Sequence, residues 1–226
     1  MEQPGAPEFI LEAFADPNSV REVVKGILHT IFFLRFFPSV LPQTRDVFGL
    51  ELAYVPEAEI ETLIDQRVTA LARQLEHERN QPHQPQQHHP RHQGLGGTGP
   101  ASSPSLSGGG GGNGSGRGQV TIQFFEKRRP KAWYNMRGDH EVCWESWTVK
   151  VTVAEPRTEG VPTERAKVRK ATETTLQNTI MNIITLANTH KDHLPPITST
   201  EANPFPFQIN INQHKEAGWA ARMGIY

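Results

Sequence analysis

Hydrophobic residues recur at helical spacing in three segments of the chain. In the first segment, apolar residues between positions 20 and 31 lie three or four apart, and Asp16-Pro17 before them is typical of a helix start. Pro56 and Pro162 open the second and third predicted helices. The second has a predicted buried stripe of Ile60, Leu63, Ile64, Val68, Leu71 and Leu75, and the third one of Leu176, Ile180, Ile183, Ile184 and Ala187.

Other segments alternate apolar and polar residues, or are short and apolar, as strands are. Strands are predicted at 8–14, 47–55, 120–125, 142–153 and 205–211. We expect 120–125 and 142–153 to form an antiparallel pair, with Trp147 and the valines that follow it on one face. Pro206 restricts the last strand to a sheet edge or a solvent-facing register. The pattern predicts an α+β fold with three helices on a mostly antiparallel sheet.

Residues 77–118 differ in composition from the rest of the chain. They begin as a His/Gln/Pro/Arg tract and continue as Gly and Ser, and 12 of the 19 glycines lie between residues 94 and 118. Such a segment has few side chains whose burial would offset the entropy of ordering its backbone. We expect a long disordered insert within one domain spanning 1–226, and we assign no structure to a C-terminal tail at 214–226.

Composition narrows the function classes. The 23 basic and 24 acidic residues leave a net charge of −1, which gives no electrostatic basis for binding nucleic acid. The single cysteine, Cys143, excludes an internal disulfide and fits an intracellular, reducing compartment. We expect a buried, unreactive thiol there, and a hydrogen-bonded structural histidine at His29. Known catalytic motifs are missing from the sequence, so we expect no enzymatic activity, no cofactor and no metal site.

The connection between the two paired strands is the most informative polar segment. It is predicted to run from Lys127 to Glu141, too long for a tight hairpin turn. Trp133 and Tyr134 lie in it among basic residues, with Pro130 and Lys131 just before them. Three interpretations remain open: the rings fold back onto the core, anchor a partner protein, or attach the protein to an anionic membrane surface.

These segments resemble the autophagy-related protein 101 family, whose members are HORMA-domain subunits of the autophagy-initiation kinase complex. The similarity is carried by the sequences Ile-Leu-His-Thr-Ile at 27–31, Phe-Phe-Glu-Lys-Arg-Arg at 124–129 and Asn-Ile-Ile at 182–184. It is most specific in Trp-Glu-Ser-Trp-Thr-Val-Lys-Val at 144–151, and His190, His193 and Pro195 also fit.

The resemblance implies a HORMA-like fold and a non-catalytic adaptor in the cytoplasm, at the site of autophagosome formation. It implies a heterodimer with the HORMA domain of the scaffold subunit, autophagy-related protein 13, and an exposed aromatic finger that recruits downstream autophagy factors. Trp133 and Tyr134 correspond to that finger, although the family pattern is Trp-Pro-Phe and here the two aromatic residues are adjacent. The alternatives are a HORMA adaptor of another pathway that captures a peptide under its C-terminal strand, and a membrane-surface module.

Overall fold

A computed structural model describes residues 5–37, 41, 43–80, 116–128, 140–153, 162–197 and 204–211. The described residues contain three helices and six strands, in the order β1, α1, β2, β3, α2, β4, β5, α3 and β6. The helices are α1 (Val20–Arg35), α2 (Ala58–Asn80) and α3 (Pro162–Thr189). The strands are β1 (Glu8–Ala15), β2 (Gln43–Val47), β3 (Leu50–Tyr54), β4 (Gly116–Arg128), β5 (His140–Val153) and β6 (Phe207–Ile211).

Four strands form the main sheet, in the order β1-β5-β4-β6. The pairs β5–β4 and β4–β6 are antiparallel, and β1 lies parallel to β5. Strand β6 lies at an edge of the sheet, directly after Pro206, as the proline predicts. The α+β class, the three helices and the antiparallel β4–β5 pair are therefore confirmed.

Helix α1 is buried on most of its circumference, which is typical of a helix in the centre of a fold. It contacts α2, α3 and β1, and it also contacts the small sheet formed by β2 and β3. The helices α2 and α3 each bury a single stripe, and five of the six predicted α2 positions are fully buried, with Leu63 half-buried. The core thus lies between the main sheet and the helices, and the β2–β3 hairpin covers α1.

The prediction of one strand at 47–55 was wrong, because the chain reverses at Phe48 and Gly49. These residues have φ angles of 56° and 80°, and both fall in the left-handed region. Two consecutive residues with positive φ are the mark of the tight turn that suits the twist of a hairpin. The side chain of Asp46 also accepts a hydrogen bond from the backbone N–H of Gly49 at 3.3 Å. The resulting β2–β3 hairpin replaces the single strand.

Element ends also differ from the prediction. Helix α1 begins at Val20, because Asp16 instead closes a turn in which its carboxylate accepts the backbone N–H groups of Asn18 and Ser19 at 2.9 and 3.1 Å. Both ends of the predicted 77–118 insert belong to regular elements, since α2 continues to Asn80 and β4 pairs with β5 from Gly116 onward. Residues 81–115 and the tail at 214–226 lie outside the described residues.

Candidate functional site

The four predicted partner-binding residues, Pro130, Lys131, Trp133 and Tyr134, lie outside the described residues. The structure does describe the two strand ends that flank them. Arg128 at the end of β4 pairs with His140 at the start of β5, so the predicted connection narrows to residues 129–139, called here the aromatic loop. The loop therefore starts and ends on adjacent, hydrogen-bonded strands.

A β-bulge interrupts the β4–β5 pair before it reaches the aromatic loop. Phe124 pairs with Glu145 and Phe125 pairs with Cys143, so Trp144 is the extra residue on β5. The Trp144 side chain is buried and packs against two phenylalanines. Its ring centroid lies 5.6 Å from that of Phe124 and 5.2 Å from that of Phe205. A bulge bends and twists the strand that carries it, so Trp144 sets the direction of the strand ends that hold the loop.

Next to the bulge, β5 buries a carboxylate. Glu145 has 0% exposure and accepts the Nε–H of Arg35 on both oxygens, at 2.8 and 3.0 Å. The indole N–H of Trp147 donates to the same carboxylate. His193 Nε2 lies 2.7 Å from the second oxygen, and because an ionised carboxylate only accepts, Nε2 carries the proton. The buried charge is therefore paired and fully hydrogen-bonded, as burial requires.

Arg35 joins this carboxylate to the end of α3. Its Nη2 lies 3.3 Å from the Ala187 carbonyl and 3.4 Å from the His190 carbonyl, and its Nη1 donates to Leu34 at 3.2 Å. The Ala187 carbonyl lies in the last turn of α3 and the His190 carbonyl just beyond it, where helical hydrogen bonds end and other donors are needed. The Arg35–Glu145 pair thus fastens α1, β5 and the end of α3 together.

This network was not predicted from the sequence. The sequence does contain an indication of it, because Glu145 lies two residues before Trp147 and therefore faces the same side of β5 as that buried indole. Arg35 directly follows the apolar residues 31–34, a position that does not by itself indicate an internal ion pair. A carboxylate in phase with the buried positions of a strand predicts an internal cation partner.

A cavity of about 350 Å³ opens on the opposite side of α1, between α1, α2 and the β2–β3 hairpin. Val47, Leu52 and Val68 form its apolar walls. Gly26 lets β3 approach α1 closely, since a Cβ at that position would lie 2.8 Å from Leu52 Cδ1. His29 and Tyr54 line the cavity beside these residues.

His29 does not have the hydrogen bond expected of it. Its side chain is 2% exposed, and neither ring nitrogen has a hydrogen-bond partner among the described residues. The ring packs on Tyr54 with centroids 4.3 Å apart. Burial, reinforced by the nearby cations Lys25 and Arg45, lowers the pKa of His29 from 6.5 to about 4. The imidazole is therefore neutral at pH 7, with one free donor and one free acceptor.

Charged side chains of both signs surround this cavity. Lys25 bridges to Asp65 at 2.7 Å and to Glu61 at 3.6 Å, and Arg45 lies 3.6 Å from the same glutamate. Burial, together with a hydrogen bond to Glu61, raises the pKa of Tyr54 to about 12. The hydrogen bond to the Tyr54 hydroxyl in turn lowers the pKa of Glu61. The site is thus polar at its mouth and apolar within.

Cys143 is half-buried rather than fully buried. Burial raises the pKa of its thiol, and its Sγ contacts the Glu145 carbonyl at 3.5 Å. A raised pKa lowers the thiolate fraction and with it the reactivity of the sulfur, in line with the predicted unreactive thiol. Within the described residues, no helix is both long and apolar enough to span a membrane.

Comparison with known proteins agrees with the resemblance seen in the sequence. The family model described as Autophagy-related protein 101 matches residues 12–201. The chain is also 24% identical over 222 residues to Autophagy-related protein 101 of Arabidopsis thaliana, covering 90% of this chain and 86% of the plant protein. A family match over most of the chain decides the assignment, so the chain belongs to the autophagy-related protein 101 family.

Proposed function

We propose that this protein is a non-catalytic adaptor of autophagy initiation, working at the site of autophagosome formation. The observation that carries the proposal is the family match over residues 12–201, which includes the β4–β5 pair, the aromatic loop and all of α3. In this role the protein pairs with the HORMA domain of the scaffold subunit, autophagy-related protein 13, and joins the autophagy-initiation kinase complex. The aromatic loop then recruits downstream autophagy factors.

The second half of α3 suits the pairing surface. Its first half carries many charges, whereas no charged residue occurs between Leu176 and Thr189. Met181 is 57% exposed at the centre of this uncharged face. Loss of charged residues and enrichment in methionine are typical of the cores of protein interfaces. The other exposed residues of this face are Gln177, Asn178, Asn182, Thr185 and Asn188.

The aromatic loop suits recruitment. Trp and Tyr offer large contact areas at a small cost in side-chain entropy, and they are enriched among the residues that dominate binding energy. Pro130 restricts the backbone on the approach to them, and Lys131 adds positive charge. The paired strand ends at Arg128 and His140 hold the loop at a defined place on the sheet. In this proposal Trp133 and Tyr134 are the anchors that a partner buries.

Two sets of variants separate the two binding roles. In a pull-down, Trp133→Ala with Tyr134→Ala should weaken capture of downstream factors by at least about 2 kcal/mol, leaving scaffold pairing and thermal stability unchanged. Met181→Asp should weaken co-purification with the scaffold's HORMA domain, because it buries an unpaired charge in that interface. Lys170→Ala, in the charged half of α3, is the matched control and should keep both partners.

The outcomes of these experiments are distinct. Loss of folding in the double aromatic variant would place both rings in the core and remove the recruiting role. Unchanged co-purification of Met181→Asp would remove α3 as the pairing face. Liposome binding that weakens steeply with salt, and that the double aromatic variant loses, would favour a membrane-surface module instead.

A further inference from the structure

The cavity beside His29 has features of a binding site that the adaptor role does not use. It lies on the hairpin side of α1, while the Glu145 network joins α1 to the main sheet and the end of α3. Its volume of about 350 Å³ falls within the range of small-molecule sites. Three separate elements build it, so its shape is fixed by the fold rather than by one loop.

The buried imidazole is the feature that most needs explanation. Buried polar atoms in proteins almost always have hydrogen-bond partners, and leaving them without partners is unfavourable. Both nitrogens of His29 lack a partner among the described residues, although the side chain is 98% buried. A ligand that hydrogen-bonds one of these nitrogens would recover that loss. The histidine thus supplies a reason for binding, beyond the shape of the cavity.

The surroundings of His29 favour a flat ligand. The ring centroids of His29 and Tyr54 lie 4.3 Å apart with the rings tilted by 37°, and the guanidinium of Arg45 lies over the Tyr54 ring, 4.5 Å from its centroid. The face of Tyr54 that Arg45 covers can accept an aromatic ring by offset stacking when Arg45 moves aside. The aliphatic side chains of Val47, Leu52 and Val68 complete an apolar enclosure.

The charges at the mouth favour a ligand without net charge. The opening is lined by three basic residues, Arg21, Lys25 and Arg45, and by three acidic residues, Glu22, Asp46 and Asp65. The acidic and basic groups are equal in number, and Lys25 and Asp65 already pair with each other at 2.7 Å. With three groups of each sign, the mouth carries no net charge that would offset the lost hydration of an ionic ligand.

We propose that this cavity binds an uncharged aromatic ring that carries one hydrogen-bonding atom, of the size of phenol or indole, with His29 as its hydrogen-bond partner. Because both His29 nitrogens are enclosed, entry requires a side chain at the mouth to move, and Arg45, which lies over the Tyr54 ring, is the side chain that we expect to do so. The Arg45 side chain is 48% exposed, so this movement does not disturb the core. The proposal is independent of the adaptor function, and its experiment measures neither partner.

The test is an NMR titration of the full chain with indole, and with indene as the matched probe of the same shape that lacks the N–H. We expect saturable shifts of backbone amides around Gly26 and Val68, and about tenfold weaker binding of indene, the loss of one hydrogen bond. His29→Phe keeps a ring in place but removes both nitrogens, so it should bind the two probes equally. Val68→Phe fills the cavity and should bind neither.

N-acetyl-tryptophanamide distinguishes the source of the ring. Binding as tight as that of indole favours a tryptophan side chain of a protein as the ligand, and failure to bind favours a free small molecule; either supports the site. No saturable shift with indole, shifts elsewhere on the surface, or equal binding of indole and indene by the wild type would overturn the proposal. Unfolding of His29→Phe would also count against it, because a histidine without partners should be replaceable by an apolar ring.

Discussion

The Arg35–Glu145 pair makes a sharp prediction about stability. Replacing Arg35 with Met keeps most of the side-chain volume but leaves the Glu145 carboxylate, 0% exposed, without its cation. Removing one partner of a buried pair costs about 3–5 kcal/mol, because the remaining charge stays buried. Natural domains are stable by only about 5–15 kcal/mol, so Arg35→Met should remove a large part of the total.

The loss is measured by urea unfolding with linear extrapolation, and by thermal unfolding. For a chain of this size, a loss of about 3–5 kcal/mol corresponds to a fall in Tm of roughly 6–20 °C. Arg169→Met is the matched control, since its Nε–Glu173 Oε1 pair of 3.1 Å lies on the surface of α3 with 69% of the arginine side chain exposed. An exposed pair at this spacing contributes about 0.5 kcal/mol or less.

A double variant tests the reason for the loss. In Arg35→Met with Glu145→Gln, position 145 carries no charge. Its amide oxygen can accept from the Trp147 indole, and its NH2 group can donate to His193 Nε2 once the imidazole proton moves to Nδ1. We expect the double variant to recover at least half of what Arg35→Met loses. A cost for Arg35→Met no greater than that of the surface control would refute the reasoning, as would a double variant no more stable than the single one.

Two further predictions concern other parts of the fold. The pKa of His29 is about 4 in the folded protein and 6.5 ordinarily, so the unfolded chain binds the proton more readily. The free energy of unfolding should therefore fall by roughly 3 kcal/mol as the pH drops from 7 to 4. The difference in unfolding free energy between wild type and His29→Phe, followed across that range, reports this term, and a pH-independent difference would contradict it. Gly49→Ala should lower the free energy of unfolding in urea by about 1–2 kcal/mol, because a φ of 80° is unfavourable for a residue with a side chain. Gly49→Asn should cost less, since asparagine tolerates this region better. Equal losses for the two variants would argue against backbone strain at the turn.

The sequence predicted those elements whose burial is periodic. The stripes of α2 and α3 and the alternation around Trp147 each follow from one repeating pattern, and the edge position of β6 follows from Pro206 alone. Element ends were less predictable, since Asp16 is as suitable for closing a turn as for capping a helix. The hairpin at Phe48 was missed because a bulky residue with positive φ is uncommon, so only Gly49 hinted at a turn.

The candidate sites were harder to predict because they depend on contacts between distant segments. Glu145 and Arg35 are 110 residues apart, and only the folded structure shows that their side chains meet. His29 is one of the many buried residues of α1, and the sequence does not show that its ring nitrogens have no partner among the described residues. Trp133 and Tyr134 remain a prediction from the sequence and the family.

The extra residue in β5 also affects the direction in which the aromatic loop leaves the sheet. Trp144 occupies a place in the strand that a regular ladder would not have, and its indole holds that irregularity by filling a core position between Phe124 and Phe205. A smaller residue there would leave a cavity beside Phe124 and Phe205 and weaken the packing that fixes the bulge. A substitution of this hidden tryptophan would therefore change the direction of the strand ends at Arg128 and His140 while leaving every residue of the loop itself unchanged.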